Sequence, residues 1–370
     1  MRLYIYSDAG GVPHTRRWAR WFAQRGHEVH VVSFNPKVLP DYSPATVHVV
    51  WAPKMGNNIL ERLVKVPVIF FRIRSLLEKY PPDIVHAHSA GGYSWMAMLC
   101  GFRPYVITPW GTDLLIDIKN SIFNRFLTQQ ALLNAALVTT DGVHFVDILK
   151  QLGVPESKIL VHSFGTDINL FSPGVDDGER KLLDLGAGPV VISTRTLNPV
   201  HNVETFIRAI PIISEKFKEV RFIVVGDGVE SDKLFGIAKS LGILNVVRFV
   251  GRVEEARLRS LLRASDVYVS TSLMDAGLAG STAEAMSTGL PVVQADNSDN
   301  SVWTPNGVGG YLFGNRDIYA LAESVCKLLS DKFARMEMGQ RNRTMIIERS
   351  NRDLELLKVE KAYSQLVANK

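Results

Sequence analysis

The stretch Ser265-Asp-Val-Tyr-Val-Ser-Thr-Ser272-Leu-Met-Asp275-Ala-Gly-Leu-Ala-Gly-Ser-Thr-Ala-Glu284-Ala-Met-Ser-Thr-Gly289-Leu-Pro-Val-Val293 decides the fold. Its apolar run from Ser265 to Ser272 reads as a buried strand, the small residues 276–282 as a loop, and Ala283 to Thr288 as the helix that follows. Val292 to Gln294 then returns as a strand, which makes the whole a unit of parallel α/β structure. A helix N-terminus offers unpaired backbone N–H groups and about half a positive charge, so the small-residue turn can hold phosphate oxygens without a metal. Glu284, about one turn into the helix, is placed to accept hydrogen bonds from ribose hydroxyls. Taken alone, the same stretch is also a plain strand, turn and helix with an exposed glutamate.

The alternation extends outward in both directions. Toward the N-terminus, strands are expected at Leu3 to Ser7, Glu28 to Phe34, Ile84 to His88, Val106 to Thr108, Leu137 to Thr140 and Ile159 to His162, with a helix over His14 to Arg25. After the polar, Gly-rich stretch Ser172 to Gly188 the pattern restarts, with strands at Val190 to Ser193, Arg221 to Val225, Val246 to Phe249 and Asp266 to Ser270. Such alternation predicts two doubly wound parallel sheets flanked by helices, Rossmann-like in arrangement, with ligands at the carboxyl ends of the strands. The expected domains are residues 1–172, joined by a C-terminal helix over about 350–370, and residues 173–349, facing each other across a cleft.

At 370 residues the chain exceeds a comfortable single core, which agrees with two domains. Its 46% hydrophobic and 21% charged residues are those of an ordinary globular chain. Cys100 and Cys326 stand far apart, against a disulfide framework or structural zinc, and a cytoplasmic setting is the expectation. No run approaches the length of a membrane span. The formal charge of +5 is uneven: residues 1–165 hold 17 Lys plus Arg against 11 Asp plus Glu, and the remainder holds 25 against 26. Within the basic part, Lys54, Arg62, Lys65, Arg72, Arg74 and Lys79 interleave with Val66, Val68, Ile69, Phe70, Phe71 and Ile73. This is either a core helix with a solvated basic side or a face for anionic lipid at the inner side of a membrane. No nucleic-acid motif accompanies the charge.

Candidate site residues lie in the loops after the strands. Ser7-Asp-Ala-Gly10-Gly11-Val-Pro-His14 lets backbone approach a ligand closely ahead of a helix N-terminus, or is simply a tight strand-to-helix turn. His86 and His88 share one face of their strand, either projecting into the cleft or satisfied as core imidazoles, and no third ligand stands at metal-binding spacing. Asp113 either caps the next helix or accepts a hydrogen bond from a substrate hydroxyl. Arg195, at the carboxyl end of its strand, is positioned to pair bidentately with phosphate or is a solvated surface arginine. Val225-Gly-Asp-Gly228 lacks the third glycine of a dinucleotide fingerprint, and Gly251-Arg252-Val253 offers backbone that can meet a flat base.

The ordered set of these pieces resembles the family-4 retaining glycosyltransferases, or glycosyl transferases group 1, of GT-B fold, over nearly the whole chain. It comprises Gly10-Gly11, Arg25-Gly-His-Glu-Val29, Asp83-Ile-Val-His-Ala-His88, Trp110-Gly-Thr-Asp113 and Gly165-Thr-Asp167-Ile-Asn-Leu-Phe171-Ser-Pro173. It continues through Arg195-Thr-Leu, Val224-Val-Gly-Asp-Gly228, Val247-Arg-Phe-Val-Gly251, Ala264-Ser-Asp-Val-Tyr268 and Glu284-Ala-Met-Ser-Thr-Gly-Leu-Pro-Val-Val293. The resemblance implies that Gly11, with Gly10, approaches a donor diphosphate that Arg195 neutralises. Amides over Gly277, Leu278, Ala279 and Gly280 then bind phosphate or sugar, Glu284 holds the ribose, and Gly251, Arg252 and Val253 face the base. It implies a nucleotide-sugar substrate, favouring a UDP-sugar, a glycan or lipid-linked acceptor, and no metal or other cofactor, because fixed donors stabilise the leaving diphosphate.

The chain departs from the family in three places. The lysine partner of Arg195 is missing, with Val200, His201 and Asn202 in its neighbourhood; His201 is expected to be partly charged near neutral pH. The glutamate eight residues before Glu284 is Ala276, with Asp275 displaced by one. The histidine before Gly111 is Trp110. Arg195, His201 and Asp113 are therefore the candidate catalytic groups, with Asp275 among the donor-binding ones. The rival readings are a catalytically silent sugar-nucleotide binder and a GT-B sugar-nucleotide epimerase.

Overall fold

A computed structural model describes every residue except Val12, residues 51–58, Thr112 and Ala276, and every described side chain but those of Pro13, residues 59–64 and Asn120. Lys54 and Ala276, and the side chain of Arg62, lie outside the described residues. The chain forms two compact units, Met1–His162 with Leu356–Lys370, and Ser163–Glu355.

In the first unit the strands are β1 (Arg2–Tyr6), β2 (Glu28–Ser33), β3 (Thr46–Val49), β4 (Ile84–His88), β5 (Tyr105–Thr108), β6 (Leu137–Thr140) and β7 (Ile159–Val161). They make one parallel sheet in the order β3-β2-β1-β4-β5-β6-β7. Every side chain of β4 and β5 is buried, as a parallel sheet covered on both faces requires. Edge strand β3 is only partly covered. The helix Ile59–Lys79 buries Ile73 and Leu77 and exposes Arg72, Arg74 and Lys79, and Phe71 stands 68% exposed beside them.

The helix Arg352–Ala368 ends the chain, and from Leu356 onward it belongs to this first unit. Leu356, Val359 and Tyr363 recur at helical spacing and are fully buried, while Leu354 and Leu357 are exposed. The Tyr363 hydroxyl meets Nδ1 of His86 and its ring stacks on Phe22. Glu360 receives Arg25 at 2.8 Å and His27 at 2.6 Å.

The second unit holds β8 (Val190–Thr194), β9 (Arg221–Val225), β10 (Val247–Gly251), β11 (Val267–Ser270), β12 (Val292–Ala295) and β13 (Gly310–Phe313). They are parallel, in the order β10-β9-β8-β11-β12-β13. The strand order reverses between β8 and β11, the switch point at whose carboxyl ends doubly wound sheets bind ligands. The second unit begins before the Gly-rich stretch expected to separate the domains, because residues 163–173 are tied to it. Thr166 N donates to Ser350 O at 2.7 Å, and Arg352 N to Thr166 O at 3.0 Å. Asp167 accepts the amides of Asn169 and Leu170 and pairs with Arg352 at 2.6 Å, and Phe171 is buried in the core. The Gly165-to-Pro173 motif is thus an anchor.

Candidate active site

Paired strands β8 and β11 bring Arg195 and residues 272–275 and 277–281 to the same switch point. Arg195 is only 8% exposed, which removes the solvated reading. Its Nη2 donates to Asp275 Oδ1 at 2.6 Å, His201 Nδ1 at 3.0 Å and Ser272 Oγ at 3.2 Å, and its Nη1 donates to Ser281 Oγ at 3.1 Å. Asp275 is 5% exposed, and its Oδ2 has no hydrogen-bond partner among the described residues. Burial opposes the charge on Arg195, but Asp275 and Tyr268 together more than offset it and the guanidinium is held above its ordinary pKa.

His201 differs from the expectation. Burial first, then the Arg195 charge, lowers its pKa to about 4, with Asp275 pulling the other way. The imidazole is therefore neutral near pH 7 rather than partly charged, and its Nδ1 acts as an acceptor.

The backbone around this cluster is fixed by close approach. A Cβ on Gly226 would fall 2.1 Å from the Arg195 carbonyl oxygen, and one on Gly228 2.4 Å from that of Leu197. Leu197 N donates to Asp227 O at 3.0 Å. Val224-Val-Gly-Asp-Gly228 therefore clamps the loop that carries Arg195 and is not a dinucleotide fingerprint. On the other side, Leu273 N donates to Val200 O at 2.8 Å and Thr271 Oγ1 to His201 O at 2.9 Å. Asn297 spans the 272–275 loop, its Nδ2 donating to Ser272 O at 2.7 Å and its Oδ1 accepting from Asp275 N at 3.2 Å.

The helix of the quoted stretch runs over Gly280–Ser287, three residues earlier than expected, and among the described residues no side chain caps its first turn. Gly277 has φ +85°, which glycine alone adopts readily. Ser281 receives both Arg195 and the Tyr268 hydroxyl, the latter at 3.0 Å, so arginine and helix start are held together. Glu284 is buried, not exposed, one turn further in. Gly251, at φ +67°, and Arg252 are exposed at the end of β10, and Gly251 O accepts from Gly226 N at 2.9 Å.

Sequence reasoning did not assign roles to Ser272, Ser281, Tyr268 or Asn297. Ser272 carried a usable signal, a polar residue where a buried strand ends at a reversal of strand order. Asn297 carried none, because its partners are distant in sequence.

In the first unit, Gly10 and Gly11 both donate to Asp8 Oδ1, at 2.8 and 2.9 Å, and a Cβ on Gly10 would lie 2.4 Å from the Lys37 carbonyl oxygen. Asp113 is buried and accepts the amides of Ala90 at 2.6 Å, Trp110 at 3.1 Å and Leu114 at 3.0 Å. Burial raises its pKa, and these amide bonds oppose the rise. Its carboxylate ties the loop after β4 to the loop after β5. His86 is a satisfied core imidazole, bonded to Tyr363 and to Thr108 Oγ1 at 2.6 Å. His88 packs edge-on against Trp18, with centroids 4.7 Å apart. Among the described residues, no three His, Cys, Asp or Glu side chains are grouped to hold a metal ion.

Two doubly wound parallel α/β units, of seven and six strands, are the architecture of the GT-B fold. The chain belongs to the glycosyl transferases group 1 family: residues 178–345 match that family's model, and residues 9–165 match that of the glycosyl transferase 4-like domain. An Escherichia coli relative, UDP-Gal:alpha-D-GlcNAc-diphosphoundecaprenol alpha-1,3-galactosyltransferase, is 26% identical over 93% of this chain and 90% of its own length. Among solved structures, sucrose-phosphate synthase from Thermosynechococcus elongatus matches with a TM-score of 0.86 at 18% identity over all of both chains. HepE from Anabaena, in complex with UDP and glucose, matches with a TM-score of 0.84 at 20% identity over 99% of this chain and 100% of its own. At these identities the structural likeness concerns the fold.

Proposed function

We propose that this glycosyltransferase moves a hexose from a UDP-sugar to a glycan or lipid-linked saccharide, with retention at the anomeric carbon and without a divalent cation. The observation that carries the reading is the Ser281 hydroxyl, which joins a buried arginine to the uncapped start of the helix Gly280–Ser287. Arg195 exchanges part of its contact with Asp275 for the donor phosphates, and the amides of residues 277–280 complete the cradle. The leaving UDP gains negative charge as the glycosidic bond breaks, and donors already fixed in a water-poor site stabilise it. Glu284 holds the ribose hydroxyls and the backbone of Gly251 to Val253 faces uracil. Gly10, Gly11 and Asp113 are proposed donor-side groups of the first unit, Asp113 through the loops it ties together.

The UDP-bound neighbour and the galactosyltransferase relative support the choice of base and of acceptor class. Peripheral contact with an anionic membrane through the basic first unit is part of the same reading, supported by exposed Phe71 beside exposed Arg72 and Arg74. Incubation with a panel of UDP- and GDP-sugars, followed by nucleotide release, tests it: UDP release with retained anomeric configuration is expected. Binding without any turnover on a range of acceptors would leave a silent binder, and C2 inversion of the free donor would identify an epimerase.

A further inference from the structure

We propose that His201 is the titratable cation of the donor site, taking up a proton from solvent when a nucleoside diphosphate binds and pairing with the free oxygen of Asp275. The inference rests on the assignment of Arg195 to the diphosphate, and it deepens that assignment.

The cluster balances its charges before the ligand arrives. Arg195 and Asp275 form a buried pair at 2.6 Å, and His201 is a neutral acceptor toward Arg195. A fully ionised diphosphate brings at least two negative charges into this neutral site. As Arg195 turns to the phosphates it withdraws from Asp275, whose Oδ2 already lacks a partner among the described residues. A buried carboxylate beside phosphate oxygens must then find a cation or a proton.

His201 stands where both needs converge. The charged groups that act on it are Arg195, from the loop after β8, and Asp275, from the loop after β11. Tyr268 reaches the cluster from β11 through Ser281, and the nearest carboxylate along the chain, Glu204, is committed to Arg208 and Lys233. Burial and Arg195 hold the imidazole neutral, so moving Arg195 away and adding phosphate both favour its protonation. The His201 backbone is held to the loop after β11 by Leu273 N to Val200 O and Thr271 Oγ1 to His201 O, and its ring Nδ1 lies 3.3 Å from Ser272 Oγ, so it stays beside the loop that carries Asp275 while Arg195 moves. A lysine here would carry its charge permanently; histidine makes it conditional on the ligand.

The experiment is calorimetric titration of the full chain with UDP near pH 7.5, where UDP is essentially fully ionised, in buffers of different ionisation enthalpy. The expected result is uptake of about one proton per UDP, with affinity falling about tenfold per pH unit between the His201 pKa of the free protein and that of the complex, and levelling off above the latter. In H201K, UDP should bind with no proton uptake and a flat pH profile. In H201Q it should bind more weakly, also with no uptake, and melting of both variants checks that they are folded. Wild-type binding without uptake overturns the inference, as does uptake that persists in H201Q, since the proton then sits on Asp275. Absence of UDP binding in every buffer overturns the donor assignment as well, a result distinct from binding without protons.

Discussion

Replacing Arg195 by methionine should affect stability and binding separately. The guanidinium is buried against an equally buried carboxylate, so its removal leaves Asp275 without its ion-pair partner and frees Ser281 and Ser272 of one donor each. Breaking one side of a buried pair costs about 3–5 kcal/mol. For a unit of this size that lowers its melting midpoint by about 6–20 °C. The sequence alone, placing Arg195 in a cleft loop, predicts no stability cost. Asp275→Leu should destabilise comparably yet keep or strengthen UDP binding, because it removes the competitor for Arg195. The double variant R195M/D275L should recover most of the stability and none of the binding. Urea unfolding followed by circular dichroism, together with UDP calorimetry, reads both quantities for all four proteins. R195M within about 0.5 kcal/mol of the parent, or D275L losing UDP binding as fully as R195M, would refute the reasoning.

Burial keeps His88 neutral with a pKa near 3, and burial likewise holds His86 well below its ordinary value. Below about pH 6.5 the unfolded chain binds more protons at these sites. Their stabilising effect is therefore complete above that pH and is lost as pH falls toward the folded-state values, by about 2 kcal/mol at pH 5 for His88 alone. A melting temperature unchanged between pH 7 and pH 5 would contradict this. Tyr363→Ala should destabilise the first unit by about 3–5 kcal/mol, and truncation after Ser350 by at least as much; an unaltered melting transition of the truncated chain would show that its last helix is only a tail. Sugar transfer should persist in excess EDTA, whereas complete inhibition reversed by magnesium would overturn the metal-independent reading.

The sequence made the two-sheet architecture legible because the central parallel strands are continuous apolar runs, and periodicity detects such runs directly. It missed β3 and β13, both at sheet edges, where four short residues with partial exposure leave no uninterrupted signal. Of the apolar residues on the C-terminal helix, the structure buries Leu356, Val359 and Tyr363 and leaves Leu354 and Leu357 to solvent, a choice made by the partner surface rather than by the helix itself. At the site, Arg195 and the helix start were visible because each sits in a loop after a strand. That Arg195 is buried on Asp275 was not, since the two lie 80 residues apart and meet only through the pairing of β8 with β11. The glycines of residues 226–228 looked like part of a cofactor fingerprint, and their packing against the Arg195 backbone supplies the physical reason for them.

The most direct test of the central claim is a crystal structure of the chain with UDP. The account predicts phosphate oxygens within about 3 Å of the Arg195 guanidinium and of the amides that open the helix Gly280–Ser287. UDP phosphates bound elsewhere on the chain, with Arg195 contacting only Asp275, Ser272, Ser281 and His201, would contradict it.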